Sequence, residues 1–193
     1  KDYEEVKKRL FVRLWNKERL QENGAIFEPF LDLFFSCHID VSVLAGAAAS
    51  CIVKEGLAEY LGVDRKQLLA DAVENGTRIR PALTMPIEAY MARMGAPVDA
   101  KPENHLMIAT TEDFLYGASV VMYPGFLERI SGGKNLYLIP SSIHEWLYIE
   151  DKGMFTREEL TNLLRSVNSE IVSEEEILSD HLYYFEGKEI RRV

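Results

Sequence analysis

Basic residues are in short supply in this chain. Its 22 Lys and Arg stand against 31 Asp and Glu, a formal net charge of −9. That balance opposes general affinity for phosphate backbones. The local basic pieces, Arg78-Ile79-Arg80 and Arg191-Arg192, form no stripe interleaved with aromatics, so nucleic acid is not an expected partner. Cysteine is scarcer still. Cys37 and Cys51 are too few for the disulfide scaffold of a small secreted protein, and their spacing fits no zinc motif. Two reduced thiols in a cytoplasmic protein is the simpler expectation. Long apolar runs are missing as well. A membrane-spanning helix needs roughly 18 to 20 such residues in a row. The most apolar stretch, Val41 to Val53, is short and dominated by alanine, so no membrane partner is expected. The opening KDYEEVKKRL is charged and helical in pattern, unlike a secretion signal. It starts with Lys1 instead of methionine, which reads as a trimmed chain or an interior piece of a longer protein.

What is present is core material. Of 193 residues, 47% are hydrophobic and 10% aromatic, enough for one domain built from two lobes. Residues 2–22 carry apolar positions at Tyr3, Val6, Leu10 and Leu14, which predicts a helix stopped by Asn23-Gly24. FLDLFFSCHID alternates and predicts a strand with Leu31, Leu33, Phe35, Cys37 and Ile39 on its core face. A hairpin between residues 31–40 and 47–53 would then bring Cys37 opposite residue 50 or 51, both thiols buried and unbridged. Further on, Asp64 with Gln67 predicts a helix closed at Asn75-Gly76, and Thr84 with Pro86 one that ends at Gly95. Thr156 with Glu159 makes a capping box stapled by Phe155 and Leu160, and Ser173 with Glu176 repeats the pattern. Strands are expected at 106–110, 118–123, 136–140, 145–149 and 182–186, with a turn at Glu186-Gly187.

ASCIVKEGLAEYLG at residues 49–62 and ASVVMYPGFLERISG at 118–132 align on Ala49/Ala118, Ser50/Ser119, Gly56/Gly125 and Glu59/Glu128. Both are expected to be strand-then-helix units of an internal repeat. Consecutive strands on short turns pair antiparallel, so the expected class is α+β, an antiparallel sheet with packed helices in two related strand-strand-helix lobes. The first lobe would cover about 1–95, the second about 106–193, with the polar APVDAKPENH at 96–105 between them.

RLWNKERLQEN, FLDLFFSCHI, LGVDRKQLLADAVENG, GASVVMYPGFLERI, LYLIPSSIHEWLYI and EEILSDHLYYF occur in that order. Together they resemble a family of uncharacterised bacterial proteins common in anaerobic Gram-positive bacteria, catalogued only as a domain of unknown function. YPGFLERI, IPSSIHE and LSDH are the best-matched blocks. Members carry further residues upstream, which implies that this chain is a C-terminal portion. Where members have Thr-Pro-Arg, this chain has Gly76-Thr77-Arg78. The resemblance brings no activity, ligand or catalytic residue.

Ser141, Ser142, His144 and Glu145 superficially match a nucleophile, a base and an orienting carboxylate. His144 and Glu145 are neighbours on a predicted strand, so their side chains point to opposite faces and Glu145 cannot readily orient His144. No Gly-x-Ser-x-Gly elbow is present. Ser142, His144 and Glu145 are the catalytic candidates weighed, and the reading preferred is a turn whose hydroxyls satisfy backbone groups. The metal candidates are His38 and Asp40 on one strand face, and Asp180 with His181. His144-Glu145 lacks a second histidine four residues on, where Tyr148 stands. Gly132-Gly133-Lys134-Asn135 matches no phosphate loop and reads as a helix stop. Trp15, Trp146 and Tyr183-Tyr184-Phe185 are expected in packing, though aromatics also mark binding surfaces.

These residues predict a non-catalytic, cytoplasmic module that binds a protein partner or itself, without a cofactor. The alternative is an enzyme or small-molecule binder with a pocket between the lobes near His144, Asp180 and His181.

Overall fold

The computed structural model describes residues 2–16, 24–95 and 105–193. The chain divides into two compact units, Lys1–Pro81 with Met122–Pro124, and Ala82–Val121 with Gly125–Val193. Residues 82–95, grouped with the first half on sequence, belong to the second unit. The polar connection expected at 96–105 lies almost wholly outside the described residues.

In the first unit, Asp2 caps helix α1 (Tyr3–Lys7), accepting from the Glu4 amide. The helix stops there. Leu10–Trp15 is strand β1, paired antiparallel with β3 (Leu33–Asp40) over six registered residues from Leu10↔Ile39 to Trp15↔Phe34. This corrects the helix expected over 2–22, whose last residues are among those not described. The apolar spacing of LFVRLW fits both periods. Leu10, Val12 and Leu14 form one buried face, and Phe11 is buried on the other. A segment apolar on both sides carries no clean helical stripe, so pairing with β3 decides it.

β2 (Phe27–Phe30) lies on the other side of β3, and the three-residue β4 (Ser50–Ile52) pairs with the far end of β3. Leu31, with φ +56°, is in the β2–β3 turn instead of the strand. The hairpin to β4 exists, but its register is shifted from expectation. Cys51 lies opposite Ile39, and Cys37 O accepts from Val53 N at 2.8 Å. Both thiols are free and Cys37 is buried, but Cys51 is exposed, which corrects the expectation that both are buried.

α3 (Glu55–Leu61) leads into α4 (Arg65–Ile79), with Asp64 accepting from Gln67 N as its sequence suggested. α4 does not end at Asn75-Gly76. The helix runs on to Ile79, with Asn75 donating to Leu10 O at 2.8 Å instead of ending the helix and Gly76 lying against the Tyr123 ring. Leu68, Leu69 and Ala72 pack with Leu10, Val12, Cys37 and Ile39 to form this unit's core.

The second unit is a six-stranded antiparallel sheet in the order β10-β9-β7-β8-β6-β5. Its strands are β5 (Ala82–Pro86), β6 (Met107–Thr111), β7 (Leu136–Ser142), β8 (Glu145–Glu150), β9 (Tyr183–Glu186) and β10 (Glu189–Arg192). Thr84 does not start a helix; it sits in β5, and α5 (Ile87–Arg93) begins after Pro86. On one face, Leu160 and Leu164 of α7 (Arg157–Glu170) pack with Ile108, Ile139, Leu147 and Ile149. The Thr156/Glu159 capping box is formed, and Phe155 and Leu160 both join this cluster.

The strand expected at 118–123 is instead a 3₁₀ helix, Gly117–Met122, followed by α6 (Phe126–Ser131). Tertiary bonds override the β-branched residues: Ala118 N donates to Ile143 O and Trp146 Nε1 donates to Ala118 O. Residues 49–62 are strand then helix and 118–132 are 3₁₀ helix then helix, so the two segments are not copies of one unit. Ser173-x-x-Glu176 also corrects an expectation. It is a 3₁₀ turn (Glu174–Glu176) with no capping bond from Ser173. The class is α+β with antiparallel sheets and packed helices. Among the described residues no helix is long and apolar enough to cross a membrane.

Candidate functional site

β7 and β8 form a hairpin whose two-residue tip is Ile143-His144, closed by the pair Ser142↔Glu145. Pro140 lies where the ladder skips between Ile139 and Ser142, as expected of a residue without an N–H. The tip is fastened from three sides. Ile143 N donates to Glu176 O at 2.9 Å, Ile143 O accepts from Ala118 N, and His144 O accepts from Thr110 Oγ1 at 2.8 Å. Gly117 packs so closely that a Cβ there would lie 2.6 Å from His144 O and 2.3 Å from Thr110 Oγ1. Phe114 and Tyr116 take positive φ values, 58° and 54°, a costly backbone for such residues. At Tyr116 that conformation aims its N–H at the histidine.

His144 Nδ1 accepts from Tyr116 N at 2.9 Å. Its proton is therefore on Nε2, which donates to Glu176 Oε1 at 3.1 Å. A general base needs a free ring nitrogen near the nucleophile's proton; here both nitrogens are engaged. The hydroxyls turn elsewhere. Ser141 Oγ and Ser142 Oγ donate to Glu145 Oε1 at 3.1 and 2.8 Å, and Ser142 Oγ also accepts from His144 N. Burial pushes the Glu145 carboxyl above the ordinary carboxylate range, outweighing the pull of those two hydroxyls. Ser142, His144 and Glu145 are thus brought together as a wired turn in which Ser142 meets the His144 backbone N–H and the imidazole nitrogens bond Tyr116 and Glu176 instead of a serine hydroxyl. Sequence reasoning missed Glu176 and Tyr116. Glu176 is 32 residues from His144, and the sequence pattern pointed to it only as a helix-capping partner of Ser173.

The metal candidates scatter. His38 is buried on the strand face opposite the core, not solvated. Trp15 Nε1 donates to Ser36 Oγ, which is hydrogen-bonded to His38 Nε2 at 2.8 Å. Burial, helped by the charges of Arg13 and Arg80, pushes the imidazole down to about 2, so it is neutral. Asp40 accepts from Ser42 N at the start of α2 (Ser42–Ala45). Asp180 accepts from Asn168 Nδ2, and His181 is exposed. Among the described residues no group of three His, Cys, Asp or Glu could hold a metal ion.

A different feature stands out on the first unit. Val43 is 95% and Leu44 79% exposed, and residues 45–48, Ala-Gly-Ala-Ala, are exposed too. This apolar segment is pinned at its base. Val41 N donates to Ala49 O, Ser42 Oγ accepts from Ala49 N, and Asp40 receives Ser42 N. It is an ordered apolar loop held out from the β3–β4 hairpin. Of the aromatics, Trp146, Tyr183 and Phe185 are core, with Trp146 edge-on to Tyr183 at 5.2 Å.

Structurally, then, this is an α+β protein of antiparallel sheets whose most reactive-looking residues are bonded to one another. The chain belongs to DUF5688, a family of unknown function whose model matches residues 1–187. The match is not confined to a C-terminal portion, as the sequence resemblance implied. No curated protein and no solved structure matches the chain.

Proposed function

We propose that this protein is a non-catalytic, cytoplasmic module that binds a protein partner or itself through the apolar loop 43–48. The observation that carries this reading is the exposure of Val43 and Leu44 on a loop fixed at both ends. Large apolar side chains in a contiguous exposed patch gain by being covered, and a pre-ordered loop loses little entropy on binding. The engagement of both His144 ring nitrogens favours a structural role for the hairpin tip. The net charge of −9 opposes nucleic acid as the partner.

The test pairs wild type with a Val43→Asp/Leu44→Asp variant. Sedimentation velocity over a concentration series reads self-association, and affinity purification from the host reads a partner. The variant is expected to abolish the interaction found while keeping the wild-type melting temperature. An interaction that survives it at wild-type strength counts against the loop. Measurable turnover of generic ester, peptide or phosphate substrates counts against a non-catalytic module.

A further inference from the structure

The second unit holds a cavity of about 540 Å³ that neither the hairpin tip nor the apolar loop touches. That volume is within the range of small-molecule sites, roughly 300–1,000 Å³. Its floor is the sheet face opposite α7. Met107 and Tyr148 are registered partners there, and Leu136 pairs with Glu150 two positions along. Leu136 and Tyr148 are buried, while Met154 stands half exposed at the mouth. Two methionines in one lining suit an unbranched apolar guest, since their side chains are flexible and polarizable.

The polar end is equally defined. Lys134 Nζ is 3.1 Å from Glu150 Oε1, and Lys152 Nζ is 3.1 Å from Glu150 Oε2. Partial desolvation opposes ionisation of Glu150, but the two lysines outweigh it and hold the carboxyl below the ordinary carboxylate range. The two ammonium groups and one carboxylate leave a net charge of +1 beside an apolar floor. One further carboxylate neutralises that excess. A dianionic phosphate would leave negative charge against Glu150. The lysines already grip a carboxylate, and both keep more than half of their side-chain surface free.

We infer that this cavity binds a small amphipathic carboxylic acid. Its head lies between Lys134 and Lys152 and its unbranched apolar body over Met107, Leu136 and Tyr148. The inference is independent of the partner loop, so Val43→Asp/Leu44→Asp is expected to leave this binding unchanged.

The test is calorimetric titration with octanoate, octan-1-ol (same tail, no charge) and acetate (same head, no tail). Octanoate is expected to bind saturably, octan-1-ol about tenfold more weakly, and acetate not measurably. A Lys134→Gln/Lys152→Gln variant should bring octanoate down to the level of octan-1-ol and leave octan-1-ol unaffected. Met154→Asp, at the exposed mouth, is the independent variant and should weaken octanoate more than octan-1-ol. Methyl NMR should show the Met107 and Met154 resonances shifting with octanoate. Equal affinity for octanoate and octan-1-ol, absence of saturation, insensitivity to both variants, or unshifted methionine methyls would each overturn the inference.

Discussion

The backbone N–H of Tyr116 points at Nδ1 of His144 from 2.9 Å away, on a residue whose φ is +54°. A bulky residue takes that backbone only where its surroundings compensate. The compensation is this hydrogen bond, a ring contact of 5.1 Å between Tyr116 and His144, and the Glu176 carboxylate on the far nitrogen. The imidazole thus fastens the loop after β6 to the β7–β8 tip.

It follows that His144→Ala should lower stability by about 1–3 kcal/mol, because the Tyr116 N–H loses its acceptor. His144→Asn, whose side-chain oxygen can stand near the Nδ1 position, should recover part of that loss. Urea unfolding of the three proteins checks the order. If His144→Ala unfolds like wild type, the histidine is not a fastener.

Gly117 offers a sharper test of the same junction. A Cβ there meets Thr110 Oγ1 at 2.3 Å and two backbone atoms at 2.6 Å, none of which is a flexible end. Gly117→Ala should therefore cost about 3 kcal/mol or more. Gly56→Ala, in α3 with nothing within 4 Å, should be neutral or stabilising by up to about 1 kcal/mol. Thermal melts of both variants read the contrast.

Local signals explain which parts of this fold were legible. IPSSIHE announces a turn because proline breaks the ladder and hydroxyls cap the bend. The Thr156/Glu159 box and the Asp64 cap are local too, so both are formed. The failures were non-local. LFVRLW becomes β1 only because β3 is there to pair with it, and ASVVM becomes 3₁₀ because Ile143 and Trp146 claim its backbone groups. The Cys37–Cys51 register failed because no turn chemistry between residues 41 and 49 fixes a loop length. The apolar loop was in plain view as VLAGAAA, but its exposure depends on where α2 is pinned.

The two cysteines should separate chemically. Burial pushes the Cys37 thiol up to about 12, whereas Cys51 is exposed. A thiolate reagent at neutral pH should modify one thiol rapidly in the native protein and both in urea. Peptide mapping should place the fast label on Cys51. Rapid labelling of Cys37 would show that β3 opens readily.

Two carboxyls should drive opposite pH dependences. Burial of Asp71 disfavours its charge, but hydrogen bonds from Lys7, Tyr3 and Gln67 win, so its folded pKa is depressed. Its stabilisation is present above the unfolded value near 3.8 and fades as pH falls through the folded one. Asp71→Asn should therefore be destabilising at pH 7, with the gap to wild type closing in strong acid. Glu145 is the reverse case. Its folded pKa is raised, so its contribution is complete below the unfolded value near 4.5 and is lost as pH climbs through the folded one. Glu145→Gln, which keeps an oxygen for Ser141 and Ser142, should match wild type near pH 4 and surpass it at pH 7. Urea midpoints at both pH values measure the two slopes. A Glu145→Gln protein less stable than wild type at pH 7 would mean that the ionised carboxylate is what Ser141 and Ser142 hold.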